Sequence, residues 1–454
     1  MDRHHGEYEV ISFSENIVAC PDCDLLQRIP MLTSGGTVSC LRCGHTLASS
    51  KPDSLDRTLA LTVAALIVLI IANVMPLMGL SAVGRQASTT IVGGVLKLWQ
   101  QGHQIAAVLV AFCTVVAPTV HIGFTLTVLL ALRQTSAPIW VGTLLRMAEF
   151  NQPWAMLEVM MLGILVALIK IADLATVIPG IGMFAVGALI VLIAAMTVSF
   201  DKHEVWSRVR WVYGEGPHRA AFPEVEEKAE GEGEMEGKET PGELTGIKMG
   251  LVLCEGCGLL TKPTDLEKPG HCPRCGQELE LRRPNSIQRT WALLIAASIC
   301  YIPANLLPVM GTMTPTYAEK DTIMSGVVLL YVHGSWPLAL IVFVASVVIP
   351  MAKIVALAYL LISIQFRSAR RKEERIRLYR LVEFVGRWSM LDVFVVTFVV
   401  ALVQLQPLMS VEPGAGVVFF AAVVVLTMLA AETFDPRLIW DSRKNKEEQH
   451  DEIC

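Results

Sequence analysis

Ala72-Asn-Val-Met-Pro-Leu-Met-Gly79 and Ala304-Asn-Leu-Leu-Pro-Val-Met-Gly311 are one phrase written twice, 232 positions apart. Each closes a long apolar run, and the correspondence extends well beyond it. The same displacement carries Cys40 and Cys43 onto Cys272 and Cys275, Arg57 onto Arg289, Gly94 onto Gly326 and Pro118 onto Pro350. Two inserted residues later, a displacement of 234 carries Glu149, Trp154, Pro179, Asp201 and Trp206 onto Glu383, Trp388, Pro413, Asp435 and Trp440. Internal duplication in a polytopic chain points to a machine working at the interface between its repeats.

The apolar runs are long enough to cross a bilayer. With 53% hydrophobic and 17% charged residues, and a mean hydropathy of +0.52, the chain does not read as a soluble globule. Apolar blocks run from Thr58 to Met78, Gln104 to Leu132, Trp154 to Ile178 and Gly180 to Phe200, and again from Thr290 to Met310, Trp336 to Ser363, Trp388 to Val411 and Ala415 to Phe434. A helix spans the hydrocarbon core with about 20 such residues. Eight crossings put both termini and the central linker on one side. On that side lie Arg133, Arg146, Lys202, Arg208, Arg210 and the cluster Arg367, Arg370, Arg371, Lys372, Arg375, Arg377, Arg380 and Arg387. The opposite segments hold only Arg85, Lys97 and Lys320, so the basic side is predicted to be cytoplasmic. No cleavable signal peptide is expected ahead of the first helix. Between crossings one and two of each half, Ile91, Val95, Leu98 and Trp99 recur as Ile323, Val327, Leu330 and Tyr331. That spacing predicts an amphipathic interfacial helix with an aromatic anchor.

Two four-cysteine frames precede the membrane blocks. Cys20-x2-Cys23 and Cys40-x2-Cys43 form the first, Cys254-x2-Cys257 and Cys272-x2-Cys275 the second. Paired CxxC knuckles can close four thiolates round one zinc, turning on small residues such as Gly44, Gly258 and Gly276. Two structural Zn2+ ions are therefore expected, because segments this short cannot build a sufficient apolar core. Redox or iron sensing by the CxxC pairs and disulfide formation are the competing readings. His45 and His271 beside the frames read as surface residues, and Cys113 and Cys300 as small hydrophobes. From Pro223 to Gly246 nine glutamates face Lys228 and Lys238, a local charge of −7 against −5 for the whole chain. This stretch is expected to be a disordered acidic tether.

Ionisable groups inside the spans are the functional candidates. Lys353 lies mid-block, one turn after Pro350, which should kink the helix, and two turns after Ser346 on the same face. Its counterpart is His121, and Ser346 answers to Thr114. Lys170 and Asp173 can pair on one helix face. Glu158 and Asp392, near helix N-termini, read as structural carboxylates favoured by the helix dipole. Ser389 and Thr427 are single intramembrane hydroxyls. No GxxxxGK[ST] loop, HExxH, CxxCH or GxSxG motif occurs, so no enzyme class suggests itself. Arg282, Arg283 and Arg289 read as anchors at the membrane rather than nucleic-acid contacts.

The architecture expected is an all-α polytopic membrane protein of two parallel four-helix repeats, each preceded by a small cytoplasmic zinc ribbon. Its parts are an N-terminal tip (1–15), zinc ribbon 1 (16–50), transmembrane domain 1 (51–212), the acidic linker (213–248), zinc ribbon 2 (249–282), transmembrane domain 2 (283–441) and a C-terminal tail (442–454). The two octapeptides quoted first, with Glu383–Phe394 (EFVGRWSMLDVF) and Glu432–Asp441 (ETFDPRLIWD), resemble the paraquat-inducible protein A family over nearly the whole chain. The resemblance implies a bacterial inner-membrane component of intermembrane lipid transport. It would pass phospholipid to or from a periplasmic MCE-domain tunnel protein, with an outer-membrane lipoprotein as a further partner. It also implies that Ser346, Pro350 and Lys353, with Ser389 and Thr427, form the family's polar cluster, and that Asp173 is an acid found in some members. A membrane-embedded redox or metal sensor and a passive anchor for the tunnel protein remain the rival functions.

Overall fold

The computed structural model describes residues 17–30, 32, 35–82, 85–100, 102, 104–133, 138–152, 161, 176–212, 244–263, 270–313, 318–332, 334, 336–366, 371–386, 404–405 and 409–441. Two hairpins open the chain, β1 (Ile17–Ala19) with β2 (Leu26–Arg28) and β3 (Thr37–Ser39) with β4 (Thr46–Ser49). Helix α1 (Ser54–Val74) is followed by strands β5 (Met78–Ala82) and β6 (Arg85–Thr89) and by helix α2 (Ile91–Gln100). The second apolar helix comes in two parts, α3 (Gln104–Ala111) and α4 (Ala117–Ala131), joined by a π-helical turn at Phe112–Val116. Then come α5 (Trp140–Asn151), β7 (Thr176–Pro179), α6 (Ile181–Ser199) and α7 (Lys202–Arg208).

The second half follows the same plan. A short hairpin, β8 (Val252–Leu253) with β9 (Leu260–Thr261), leads to α8 (Ser286–Leu306), β10 (Met310–Met313), β11 (Ala318–Asp321) and α9 (Ile323–Val332). Helices α10 (Trp336–Phe343) and α11 (Ile349–Gln365) flank a π-helical turn at Val344–Val348. They are followed by α12 (Lys372–Gly386), β12 (Gln404–Leu405), β13 (Met409–Pro413) and α13 (Ala415–Thr433).

Among the described residues six helices are long and apolar enough to cross a membrane: Ser54–Val74, Phe112–Ala131, Ile181–Ser199, Ser286–Leu306, Ala339–Gln365 and Ala415–Thr433. Their outward faces carry exposed Ile67, Ile70, Val191, Val198, Ile299, Ile302 and Val355, a surface that water would not tolerate and acyl chains would. This is a membrane protein. The blocks predicted as crossings three and seven lie mostly outside the described residues, and so do Glu158, Lys170, Asp173, Ser389 and Asp392. So do positions 213–243 of the acidic linker.

The fold is mostly helical, with two small antiparallel sheets that the helical reading did not contain. Prolines Pro76 and Pro308 start them. Each pushes the residue before it, Met75 or Leu307, into extended geometry and stops the helix. The strands that follow pair in the same register in both halves, Met78 opposite Pro179 and Met310 opposite Pro413. Thr176–Ile178 and Met409–Val411, the ends of two apolar blocks, are therefore strand rather than helix. The proline carbonyls also accept from the starts of α6 and α13, Gly182 N to Pro76 O at 3.0 Å and Gly416 N to Pro308 O at 3.0 Å. Within each half α1 packs on α6 and α8 on α13. One buried apolar cluster, from Ala65 and Leu69 through Val186 to Ala304, Phe420 and Val424, runs through both halves. Helices α2 and α9 form where amphipathic interfacial helices were expected, with Trp99 and Tyr331 exposed, but α9 is apolar nearly all round and only α2 has a distinct polar face. Asn73 and Asn305 each donate to the carbonyl four residues earlier at 2.9 Å, bracing the last turn.

Candidate functional site

Each CxxC frame folds into a pair of knuckles. In the first, Cys20 N donates to Leu25 O and Cys40 N to His45 O; in the second, Cys254 N donates to Leu259 O and Cys272 N to Gln277 O. The tight turn needs a left-handed residue after the second cysteine. Gly44, Gly258 and Gly276 supply it at φ 72°, 71° and 71°, and Asp24 supplies it at φ 60° in the remaining knuckle. A short polar side chain tolerates that region when it finds local hydrogen bonds. At Asp24 the bonds come instead from far along the chain: its Oδ2 accepts from Ile247 N at 3.1 Å and Arg282 Nη2 at 3.0 Å.

The sulfurs converge. Cys20 and Cys43 Sγ lie 3.4 Å apart, and Cys23–Cys40, Cys254–Cys275 and Cys257–Cys272 each 3.5 Å. Within each frame all four lie within 4.8 Å of one another. Four thiols on a tetrahedron of this size fit one ion bound through metal–sulfur bonds of about 2.3 Å. His45 is not one of the four. Its Nδ1 sits 3.1 Å from Asp22 Oδ2, which the surface reading did not anticipate.

The ribbons dock crosswise. Ribbon 1 precedes the first membrane half but sits mainly on the second: Arg380 of α12 donates to Asp22 Oδ2 at 2.6 Å, to Cys43 O at 3.0 Å and to Cys43 Sγ at 3.4 Å. Arg42 stacks 4.4 Å above the Trp440 ring. Ribbon 2 precedes the second half but packs its cysteines on Val128, Leu132, Val141 and Trp206 of the first. Val212 N donates to Pro273 O at 3.0 Å, closing that contact. Between the ribbons, Ala19 and Leu26 pack with Leu251, Leu253 and Leu260. Leu244–Lys248, assigned by sequence to the linker, lies here too, with Leu26 N donating to Leu244 O. The arginines read as anchors are mostly committed to this joint. Arg282 binds Asp24 and Asp441, and Arg283 binds Glu255. His271 stays at the edge, bridging backbone with Glu278.

The intramembrane candidates come together only in part. Lys353 is 2% exposed and heads the largest fully buried side chains. Its Nζ donates to Thr427 Oγ1 of α13 at 3.0 Å, and Thr427 in turn donates to Val424 O at 3.0 Å. The third wall is Gly386 of α12, where a Cβ would stand 3.5 Å from Nζ. An ammonium has three donors, and among the described residues Thr427 meets one. Ser346 makes no hydrogen bond to Lys353; its hydroxyl turns back to Val342 O at 2.6 Å. The reason is local. Pro350 enters through the π-helical turn Val344–Val348 rather than a bare kink, and the extra residue in that turn shifts the face on which Ser346 lies. Pro118 follows the same kind of turn at Phe112–Val116. His121 occupies the matching buried place in the first half, its Nδ1 3.3 Å from Ala148 O. Two elements escaped sequence reasoning: Gly386 and the doubled π-helical turn. The matched Pro118 and Pro350 were the only local signal of the latter.

The family model described as paraquat-inducible protein A matches residues 55–210 and again 287–444. The Intermembrane transport protein PqiA of Escherichia coli (strain K12) is 33% identical over 452 residues, 99% of each chain. The Lipophilic envelope-spanning tunnel protein A of the same strain is 31% identical over 95% of this chain and 93% of its own. A Probable intermembrane transport protein of Haemophilus influenzae is 29% identical over 93% of this chain and 95% of its own. No solved structure matches. With both membrane halves matched and a relative aligned end to end, the chain belongs to the paraquat-inducible protein A family.

Proposed function

We propose that this protein is the inner-membrane member of a bacterial intermembrane lipid-transport system. It passes phospholipid to or from a periplasmic MCE-domain tunnel partner, with an outer-membrane lipoprotein completing the path. In this reading eight helices form two parallel four-helix repeats, the ribbons and both termini face the cytoplasm, and each ribbon holds one structural zinc. The chain moves lipid and catalyses no covalent step. The names of the relatives, each an intermembrane or envelope-spanning transport protein, support the transport class.

The observation that carries the reading is Lys353. A primary amine buried at mid-span, bonded to a hydroxyl and facing a glycine, is costly unless it acts. Its remaining donors suit a phosphate oxygen of a passing headgroup or a proton relay that gates the cleft between the halves. The metal would hold each ribbon folded through its four thiolates, leaving the CxxC pairs no redox role.

The test is lipid transfer between vesicles with the reconstituted complex. Lys353→Ala and Lys353→Met should abolish transfer while the complex still assembles. Normal transfer by both would take Lys353 out of the mechanism, and tolerance of every intramembrane substitution would favour the passive anchor. About two zinc ions per chain, with thiols blocked until chelation, would reject the redox sensor.

A further inference from the structure

The two halves match closely where their first helices leave the ribbons, but they differ there in how the basic residue is paired. In the second half Arg283 donates to Phe434 O at 3.3 Å and to Glu432 O, and its Nε meets Glu255 Oε2 at 3.3 Å. Lys51, its counterpart, donates to Phe200 O at 2.9 Å, the carbonyl equivalent to Phe434 O. Among the described residues, however, no carboxylate stands within salt-bridge distance of Lys51 or of Arg57, one turn into α1. Beside them lies a cavity of about 290 Å³. Thr37, Ser49 and Ser50 of the β3–β4 hairpin line it together with Val198 of α6. Glu204, which accepts from Ser54 at the same wall, is already neutralised by Arg208 at 2.7 Å.

We propose that this cavity holds the phosphodiester of a phospholipid in the ribbon-side leaflet. Lys51 and Arg57, both lining the cavity, supply cationic donors for phosphate oxygens. The depth is right for a headgroup, since the cavity lies at the ends of α1 and α6, where the membrane-spanning surface begins. Val198 continues from the cavity onto the exposed apolar face of α6, which would carry an acyl chain. A free phosphate would gain nothing from that face. In the second half Glu255, a side chain of the protein itself, meets the equivalent basic group, so only the first half is open to lipid. This site stands apart from Lys353, and a failure here leaves the transport reading untouched.

The full-length protein in detergent, titrated with dioctanoyl-phosphatidylglycerol and read by native mass spectrometry, tests the assignment. Dioctanoylglycerol, which lacks phosphate, and inorganic phosphate form parallel arms. The phospholipid should bind and dioctanoylglycerol should not. Arg57→Gln should weaken binding roughly fivefold, the factor for one basic side chain at an anionic headgroup. Thr37→Trp, which fills the cavity, should weaken it at least as much. Arg289→Gln in the second half should leave that binding unchanged. Unchanged binding by Arg57→Gln, an equal loss with Arg289→Gln, or uptake of inorganic phosphate in place of the lipid would each overturn the proposal. If Thr37→Trp does not fold, the comparison of Arg57→Gln with Arg289→Gln decides alone.

Discussion

Replacing Thr427 by valine keeps the shape of the side chain and removes the hydroxyl that Lys353 reaches among the described residues. The donor and acceptor are 3.0 Å apart, and the two residues are 2% and 0% exposed, so water cannot take over the bond. A hydrogen bond from a charged group contributes ~1.5–3 kcal/mol. Neutral interhelical bonds in membranes average only ~0.6 kcal/mol, because the unfolded chain finds other partners there. A buried ammonium has fewer substitutes, so Thr427→Val should cost about 2 kcal/mol, in the charged range. Lys353→Met should cost far less, since replacing a buried ionic group with an apolar one of similar volume is often neutral or stabilising. Thr427 then keeps its own bond to Val424 O. In the double variant the valine should add little, leaving a coupling of ~1.5–2 kcal/mol, within the range seen for directly bonded residues. Reversible unfolding of the purified single and double variants in mixed micelles measures this cycle. A coupling below ~0.5 kcal/mol, the scatter of independent sites, would refute the claim that Thr427 holds the ammonium.

Three further outcomes follow from the same geometry. Cys272→Ser should lower bound metal by one ion per chain and loosen ribbon 2 from Trp206, seen as a red shift in tryptophan emission. Asp435 pairs with the buried Arg437 at 2.9 Å, and although burial pushes its carboxyl upward, the Arg437 guanidinium and backbone donors hold it below the ordinary value. A depressed folded-state value means stability that is complete above the unfolded value of about 3.9 and lost as pH falls through the folded one. Asp435→Asn should therefore cost ~3–5 kcal/mol at neutral pH and flatten the acid limb of a melting-temperature profile. At Gly414 a Cβ would collide with the backbone carbonyl of Pro308, and Gly180 meets Pro76 likewise. Gly414→Ala should lose most of its monodisperse peak on size exclusion, while Gly326→Ala, with open space around it, should not.

Much of this protein is legible along the chain because its signals are local. Four cysteines within one short segment, an apolar run of helical length, and a lysine in the middle of such a run can all be read without knowing what they touch. The duplication adds a second reading of each, which is how Pro76 with Pro308 and Lys353 with His121 stand out. Other features were invisible for equally physical reasons. Ser346 looks cofacial with Lys353 on a regular helix, but it sits within a π-helical turn that changes the spacing, and nothing in Val344–Val348 announces it. The outer strands end runs of apolar residues that suit helix and strand alike.

By itself, then, the sequence determined six segments long and apolar enough to cross a membrane, which thiols can share a metal, and where a lysine is buried. Only the tertiary structure decided that each ribbon docks on the opposite half. Arg380 reaches Asp22 across 358 positions, and Arg146 reaches Gln277 across 131. Such contacts depend on how completed elements pack, a global outcome that no periodicity or spacing within the chain encodes.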